Sequence, residues 1–255
     1  MQIKGEGGEA QFTCACLGIG EVCAVRPSIA SARSDSDEER RDVRIPPRGL
    51  IGTLRIPRNS VALVVFAHGS GSSRLSPRNV LVAGALNACG IATLLFDLLT
   101  PAEEEDRGNV FDIPLLAERL VEVIPWLDRD PVLAALPLGL FGASTGAAAA
   151  LVAAARLPGR VGAVVSRGGR PDLAGYALDE VRTPTLLIVG GDDFDVIDLN
   201  EHAMARLRGP KSLQIIPHAT HLFPEPGALE AVINHAAKWF QQYLRRSHSA
   251  SAPRQ

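Results

Sequence analysis

The 255-residue sequence has little of what marks several protein classes. Its four cysteines do not form a zinc-binding pattern, and a formal charge of -2 provides no basic field for a polyanion. Its apolar runs fall short of the roughly 18 residues that a membrane span requires. We therefore expect no metal, no cofactor, no nucleic-acid partner and no membrane association. We also expect reduced thiols in a cytoplasmic protein. The sequence carries no signal for an oligomeric state.

The first 42 residues differ in composition from the rest of the chain. An apolar patch from Phe12 to Val25 lacks the basic start of a signal peptide. The small and charged residues that follow, up to Asp42, cannot bury enough apolar area to offset the entropy lost on ordering. We predict a disordered extension over residues 1–42, a folded domain over residues 43–246 and a flexible tail over residues 247–255.

Short apolar runs alternate with helical patterns after residue 42. Continuous rather than alternating hydrophobicity is typical of strands that helices cover on both faces. The runs are Val61–Ala67, Ile91–Phe96, Leu138–Phe141, Val161–Ser166, Thr185–Val189 and Leu213–Ile216. The sequence therefore predicts the α/β class, with a doubly wound, mostly parallel sheet and helices on both faces.

Two further strands and three helices complete the predicted domain. Val43–Ile45 and Leu50–Ile56 flank a Pro-Pro-Arg-Gly turn, which predicts an antiparallel hairpin at the start of the sheet. Asp112 is placed to cap a helix with one apolar face, and Ala147–Ala155 predicts a helix of small residues. A last helix is expected over Pro226–Leu244.

A G-x-S-x-G pattern formed by Gly142, Ser144 and Gly146 lies between a predicted strand and the alanine-rich helix. This context is typical of a nucleophile elbow, a strained turn that presents a serine hydroxyl above the sheet. The alternative is a glycine-rich structural turn. The start of the helix also supplies the backbone N–H of Thr145, which can stabilise an oxyanion. The pattern predicts Ser144 as a nucleophile.

A serine hydroxyl becomes a good nucleophile only when a neutral imidazole can take its proton. Of the six histidines, His218 and His221 follow the last predicted strand, after Ser144 in the chain. His221 lies further along the loop and has more freedom to reach the elbow, which favours it as the base. The H-x-x-H spacing of the pair has no accompanying third ligand for a metal site.

The acid that orients the histidine is expected in a loop after a strand between the serine and the histidine. The loop after Thr185–Val189 offers Asp192, Asp193 and Asp195, and spacing alone does not separate them. The order serine, acid, histidine is that of α/β-hydrolases and differs from the orders in chymotrypsin-like and subtilisin-like enzymes.

A second oxyanion donor is expected from His68–Ser73, which follows the third predicted strand. In α/β-hydrolases the loop at this place supplies a backbone N–H to the oxyanion hole, and Ser70 is the candidate. A phosphate-binding loop would require Gly-Lys-Ser or Gly-Lys-Thr, which this stretch lacks.

Together these segments resemble the dienelactone hydrolase-like branch of the α/β-hydrolase superfamily, from about Val43 to Leu244. The motifs are FAHGSGSSR at Phe66–Arg74, FDLLTP at Phe96–Pro101, GASTG at Gly142–Gly146, GGDDFDV at Gly190–Val196 and ATHLF at Ala219–Phe223. The family pattern G-x-D-x-x-V matches Gly191, Asp193 and Val196, so the resemblance implies Asp193 as the acid. Dienelactone hydrolase itself has a cysteine nucleophile where this sequence has Ser144. In this respect the sequence is more similar to serine carboxylesterases.

We therefore predict a serine hydrolase that cleaves small carboxylic esters or lactones through an acyl-enzyme intermediate. The connection from Ser166 to Thr185 is too short for a sizeable lid domain, which predicts an open pocket. Arg74, Arg167 and Arg170 follow strand ends and are candidates for binding an anionic substrate. The alternative is that they are solvated or pair with the acidic residues 103–106.

Two other functional classes are weighed against the hydrolase. One is a non-catalytic binding protein with the α/β-hydrolase fold, which a covalent phosphonate probe would distinguish from an esterase. The other is a nucleotide-binding reductase built on the glycines around Gly142. That glycine segment follows several strands rather than the first, which argues against the reductase.

Overall fold

The computed structural model describes residues 12–15, 24–27 and 38–244. The strands are β1 Phe12–Ala15, β2 Ala24–Pro27, β3 Glu38–Ile45, β4 Leu50–Pro57, β5 Ala62–Ala67, β6 Ile91–Phe96, β7 Leu138–Ala143, β8 Val161–Arg167, β9 Thr185–Gly190 and β10 Lys211–Ile216. The helices are α1 Pro77–Ala88, α2 Pro101–Glu104, α3 Ile113–Leu127, α4 Pro131–Ala134, α5 Thr145–Arg156, α6 Phe194–Arg206 and α7 Ala228–Tyr243. Two 3-10 segments, Asn109–Phe111 and Pro171–Glu180, lie between them.

The main sheet has eight strands in the order β10-β9-β8-β7-β5-β6-β4-β3. Strands β5 to β10 are parallel, whereas β4 pairs antiparallel with both β3 and β6. This confirms the predicted doubly wound sheet and its antiparallel hairpin. Gly142 on β7 is in register with Ala67 on β5 and Ser166 on β8, so these strands end together at one edge. The loops that follow them are brought together at that edge.

Helices cover both faces of the sheet, which explains the continuous apolar runs. Along β8, Val164 packs into the apolar layer under α3 and α5, while the next residue, Val165, packs into the layer under α1 and α7. The predicted helix cap is confirmed, because Asp112 accepts a hydrogen bond of 3.0 Å from the N–H of Leu115 at the start of α3. Both faces of each central strand are thus buried.

Strand β3 begins at Glu38 rather than at the predicted Val43. Its first residues are charged, but they continue the antiparallel ladder with β4, and Glu38 accepts a 2.8 Å hydrogen bond from Arg55. An edge strand needs a hydrogen-bonded partner more than it needs burial, and amino-acid composition does not show that partner. Strands β1 and β2 also pair with each other. The predicted disorder of residues 1–42 is wrong over these strands, and the rest of that extension and the tail 247–255 lie outside the described residues.

The connection after β8 carries no sizeable lid domain. It forms the 3-10 segment Pro171–Glu180, which packs against α5 and α6 at the side of the sheet. In the part of the chain that the structure describes, no helix is both long and apolar enough to cross a membrane. This connection therefore does not cover the sheet edge at which β7 and β8 end.

Candidate active site

Ser144 lies at the sharp turn between β7 and α5. Its backbone has φ 52° and ψ -122°, a conformation that costs a residue with a Cβ about 1–3 kcal/mol. Neighbouring backbone groups hold it in place. The N–H of Ser144 donates to the carbonyl of Arg167 at 3.2 Å, and the N–H of Arg170 donates to the carbonyl of Ser144 at 3.1 Å. The strained turn that G-x-S-x-G predicts is thus present, with Ser144 at its apex.

The two glycines of the motif allow the turn to be this tight. A Cβ on Gly142 would lie 2.4 Å from the Cα of Ala147, and one on Gly146 would lie 2.3 Å from the carbonyl oxygen of Ala67. Both distances are far below van der Waals contact, and the atoms approached belong to the backbone. Glycine is therefore required at both positions for α5 to start directly against the ends of β5 and β7.

His221 and Asp193 form a hydrogen-bonded pair on the neighbouring loops. His221 Nδ1 lies 2.7 Å from Asp193 Oδ2. An ionised carboxylate only accepts hydrogen bonds, so Nδ1 carries the proton and Nε2 presents its lone pair. Asp193 lies in the short loop after β9 and immediately precedes the first residue of α6. Of the three acidic residues that the sequence left open, Asp193 is the one that makes this contact.

The loop that carries His221 approaches the elbow at Gly168. A Cβ on Gly168 would lie 2.8 Å from the carbonyl oxygen of His221 and 3.7 Å from its ring atom Cε1. Gly168 follows Arg167, whose carbonyl accepts the N–H of Ser144. Ser144, His221 and Asp193 are therefore gathered at the edge where β7, β8 and β9 end.

The loop that carries His221 is fixed by hydrogen bonds on both sides. The hydroxyl of Thr220 donates to Glu225 at 2.6 Å, and this bond lowers the pKa of the Glu225 carboxyl. The N–H of Asp192 donates to the carbonyl of Ala219 at 3.0 Å, which ties the loop to the segment that carries the acid. His218 lies in the same loop, but it is exposed and stands at a turn with φ 58°.

The loop after β5 lies against the elbow, as predicted, but its hydrogen bonding differs from the prediction. A Cβ on Gly69 would lie 3.0 Å from the Ser144 Cβ, so this loop borders the nucleophile. The N–H of Ser70 donates to Thr145 Oγ1 at 2.8 Å. Ser70 and Thr145 are thus brought together, but the Ser70 N–H is engaged by a side chain rather than free. The sequence predicted a role for the backbone N–H of Thr145, but it did not indicate that the Thr145 hydroxyl accepts the N–H of Ser70.

The Thr145 hydroxyl is expected to affect kcat through its bond to Ser70. Replacing Thr145 by Ala removes the acceptor that holds Ser70, and a net hydrogen bond of about 1 kcal/mol corresponds to roughly a fivefold fall in kcat. KM should change little, because the loop borders the reacting serine. Thr145→Ser keeps the hydroxyl and should retain wild-type kcat. Steady-state kinetics on p-nitrophenyl butyrate would check both variants, and equal kcat values for Ala and Ser would show that the bond plays no part.

His68 has a structural place beside the same loop. It is buried, its Nε2 accepts the N–H of Leu98 at 3.1 Å, and its Nδ1 donates to the carbonyl of Gly69 at 3.0 Å. Burial lowers the pKa of His68, which keeps the ring neutral. The ring therefore links the loops after β5 and β6 and helps to position Gly69 against Ser144.

The three arginines that the sequence marked as substrate-binding candidates differ in their surroundings. Arg74 donates from its backbone N–H and its guanidinium to Asp97, at 2.8 Å and 2.5 Å. Arg170 forms a two-point contact with Asp172, at 2.9 Å and 2.8 Å. Carboxylates of the chain itself occupy both guanidinium groups, which argues against the prediction that these two arginines bind substrate. Those carboxylates are not the acidic residues 103–106 that the sequence analysis considered.

Arg167 is the exception among these arginines. It ends β8 and is only 5% exposed, and its guanidinium lies 6.0 Å from the ring centre of Phe223, two residues after His221. Its Nη2 contacts Asn79 Oδ1 at 3.4 Å. A burial this deep was not indicated by the sequence, which places Arg167 only at a strand end.

A cleft of about 720 Å³ borders the oxyanion loop. Its apolar wall comes from the loops after β5 and β6, from the segment before α3 and from the first turn of α3: Leu75, Leu98, Leu99, Val110, Phe111 and Leu116. The connection between β6 and α3 thus supplies part of an apolar wall, although the chain has no lid after β8. Within residues 38–244, no group of three or more His, Cys, Asp or Glu side chains converges as a metal site would require.

The chain is similar to proteins of known structure. The solved structure of a dienelactone hydrolase from Anabaena variabilis is 54% identical to this chain with a TM-score of 0.79, and the match covers 82% of this chain and 100% of that one. Two Mycobacterium tuberculosis proteins, each named "Putative phosphoribosyl transferase", are 55% identical over 215 residues, which are 84% of this chain and 48% of each relative. The chain thus spans about half the length of these two relatives.

A more distant structure shares the fold. Est1E from Butyrivibrio proteoclasticus is 16% identical with a TM-score of 0.65, and the match covers 80% of this chain and 97% of that one. No protein-family model matches the chain.

Proposed function

Because this chain belongs to the dienelactone hydrolase-like family of the α/β-hydrolase superfamily, we propose that it is a hydrolase that cleaves small carboxylic esters or lactones with Ser144 as nucleophile. One observation carries the proposal. A strained serine at the strand-to-helix turn lies at the same edge of the sheet as a histidine whose Nδ1 is held by a carboxylate at 2.7 Å. Such a pairing activates a serine hydroxyl for acyl transfer.

In the first half of the reaction, Ser144 Oγ attacks the carbonyl carbon and its proton passes to Nε2 of His221. Asp193 stabilises the imidazolium that forms and keeps the ring oriented. The carbonyl oxygen becomes an oxyanion, which accepts hydrogen bonds from the backbone N–H of Thr145 and from the Thr145 hydroxyl, whose oxygen accepts the N–H of Ser70. The intermediate then collapses, the alcohol leaves with the proton from His221, and the acyl group stays on Ser144.

In the second half, His221 takes a proton from water, and the resulting hydroxide attacks the acyl carbon. A second oxyanion forms in the same place and collapses to release the carboxylic acid. Ser144 recovers its proton from His221. The lactone reaction differs only in that the alcohol remains joined to the product.

The apolar wall of the cleft predicts how the rate depends on acyl length. p-Nitrophenyl acetate and butyrate should both be hydrolysed, with kcat/KM higher for butyrate, since each buried methylene contributes about 0.8 kcal/mol. Palmitate should be a poor substrate, because the cleft of about 720 Å³ has no lid over it. A series of acyl lengths on the purified protein would test this. No hydrolysis of any ester or small lactone would contradict the proposed function.

Phe111 offers a matched pair of variants for the same series. Phe111→Ala removes an aromatic wall of the cleft and should reduce the preference for butyrate over acetate. Val132→Ala truncates an exposed apolar residue away from the cleft and should leave that preference unchanged. An equal effect of both variants would show that the acyl chain does not lie in this cleft.

The transferase name of the Mycobacterium tuberculosis relatives is not carried over to this chain. The match covers about half of each relative, and the strained serine and the histidine–aspartate pair support acyl transfer to water. A non-catalytic binding protein of the same fold is the competing class. Reaction of Ser144 with a phosphonate separates the two, because a fold without an activated serine would not be labelled.

A further inference from the structure

Arg167 is a buried cation that no carboxylate of the described residues compensates. It is 5% exposed, its Nε has no hydrogen-bond partner, and its Nη2 has only the long contact to Asn79. Within residues 38–244, no Asp or Glu lies within ion-pair distance of Arg167. Burying an uncompensated charge is costly. Burial and the nearby Arg78 lower the pKa of Arg167 to about 10, so at neutral pH its charge opposes folding, and this cost falls only as pH rises through that value.

Arg78 is a second arginine in this region, and it has no acidic partner in the part of the chain that the structure describes. Its Nε is buried and has no hydrogen-bond partner, and its charge is near enough to Arg167 to disfavour protonation there. The contact between Arg167 and Asn79, the residue after Arg78, places both arginines in the same region of the fold. Their proximity is explained if an anion binds between them.

The first turn of α1 adds a third positive element. Arg78 and Asn79 follow Pro77, the first residue of this 12-residue helix, and the first turn contains no acidic residue. The side chain of Ser76, at the N-cap, makes no capping hydrogen bond. Backbone N–H groups and the positive end of the helix dipole therefore meet the same region as the two arginines.

This cluster lies beside the reacting groups. The carbonyl of Arg167 accepts the N–H of Ser144, and its guanidinium lies over Phe223, two residues after His221. The cleft that borders the oxyanion loop also reaches Ser76 and Pro77, the two residues before Arg78. Gly69, which borders Ser144, and Pro77 at the start of α1 therefore line the same cleft.

We propose that Arg167, Arg78 and the first turn of α1 bind a phosphate group carried by the ester substrate. The inference rests on the proposed hydrolase function and names its substrate class. A phosphate monoester carries up to two negative charges, so it can compensate both guanidinium groups. Its several oxygens can also accept hydrogen bonds from backbone N–H groups in the first turn of α1. A carboxylate would compensate only one of the two cations.

The test compares three matched acetyl esters: those of glycerol 3-phosphate, of glycerate and of glycerol. For wild-type protein we expect kcat/KM for the phosphate ester to exceed that for the neutral ester by roughly 10- to 100-fold, as charge-assisted hydrogen bonds predict. The carboxylate ester should fall between them. In Arg167→Met and in Arg78→Gln the ratio of phosphate to neutral ester should approach one. The ratio cancels any loss common to both substrates.

Arg170→Gln is the control, because this guanidinium lies at the same edge but is held by Asp172. It should keep the wild-type ratio. A wild-type ratio near one with good hydrolysis of the neutral ester would overturn the phosphate site and leave the hydrolase function intact. A carboxylate ester preferred over the phosphate ester, or an equal loss in Arg170→Gln and Arg167→Met, would overturn it as well.

Inorganic phosphate gives a readout that does not depend on turnover. It should raise the Tm of the wild type and not that of Arg167→Met, and without phosphate Arg167→Met should be at least as stable as the wild type because a buried charge is removed. Strong destabilisation by Arg167→Met, with an unchanged phosphate response in Arg78→Gln, would show that the arginines are structural. If no ester is hydrolysed but phosphate still stabilises only the wild type, the proposed function fails and the anion site stands.

Discussion

Replacing Ser144 by Ala is expected to lower kcat on p-nitrophenyl butyrate by a factor on the order of 10⁴ or more, since the acyl group then has no oxygen to receive it. Ala keeps the Cβ and therefore the same backbone strain at φ 52°. The variant should fold as the wild type does, and a thermal melt would check this. The loss should fall almost wholly on kcat rather than on KM.

A second serine gives the control for this substitution. Ser212 lies on β10, at the opposite edge of the sheet from β3 and away from the elbow. Ser212→Ala should have wild-type kcat. If Ser144→Ala kept more than a tenth of wild-type activity while folded, another residue would have to be the nucleophile and the mechanism would be wrong.

Replacing His221 by Ala should lower kcat by a factor on the order of 10³ or more, because Ser144 then has no base to take its proton. The hydrogen bond from Nδ1 to Asp193 at 2.7 Å supports this choice of histidine. Exogenous imidazole offers a further check, since a small base that enters the vacated space should restore part of the activity.

His218 is the matched control for His221. It lies three residues earlier in the same loop, is exposed, and has φ 58°. His218→Asn is the suitable variant, because Asn tolerates positive φ better than Ala does. It should retain near wild-type kcat. The reverse pattern, with His218→Asn inactive and His221→Ala active, would make His218 the base.

Much of the fold was predictable from local sequence. Continuous apolar runs identified the parallel strands to within one or two residues at most ends, and Asp112 identified the start of α3. The elbow was predictable for the same reason, because glycine spacing and a strand-to-helix change are local features. The start of β3 was not, since its charged residues are ordered by pairing with β4 rather than by their own burial.

The site was predictable in part. Chain order and loop position placed the histidine and the acid near Ser144, and the family pattern separated Asp193 from its neighbours. Local pattern could not show that Arg74 pairs with Asp97, because that pair depends on two loops that meet only in the folded chain. The same holds for the hydroxyl of Thr145 at Ser70 and for the wall of the cleft. These features depend on contacts between segments far apart in sequence.

Arg167 shows what local sequence conceals most clearly. Three arginines at strand ends look alike in the sequence, yet two are paired with carboxylates and one is buried without a counter-ion among the described residues. The difference arises from side-chain direction, because Arg167 continues the face of Val165 and points beneath the loop that carries His221. Its environment is set by α1 and by Phe223, which are distant in the chain.

Covalent labelling tests the central claim most directly. Wild-type protein incubated with an alkyl fluorophosphonate should gain one adduct by intact-mass spectrometry, and peptide mapping should place it on Ser144. Labelling should be slowed strongly in His221→Ala, since the hydroxyl is no longer activated, and should be absent in Ser144→Ala. An adduct on another serine, or no adduct on protein that hydrolyses esters, would contradict the assignment of Ser144 as the nucleophile.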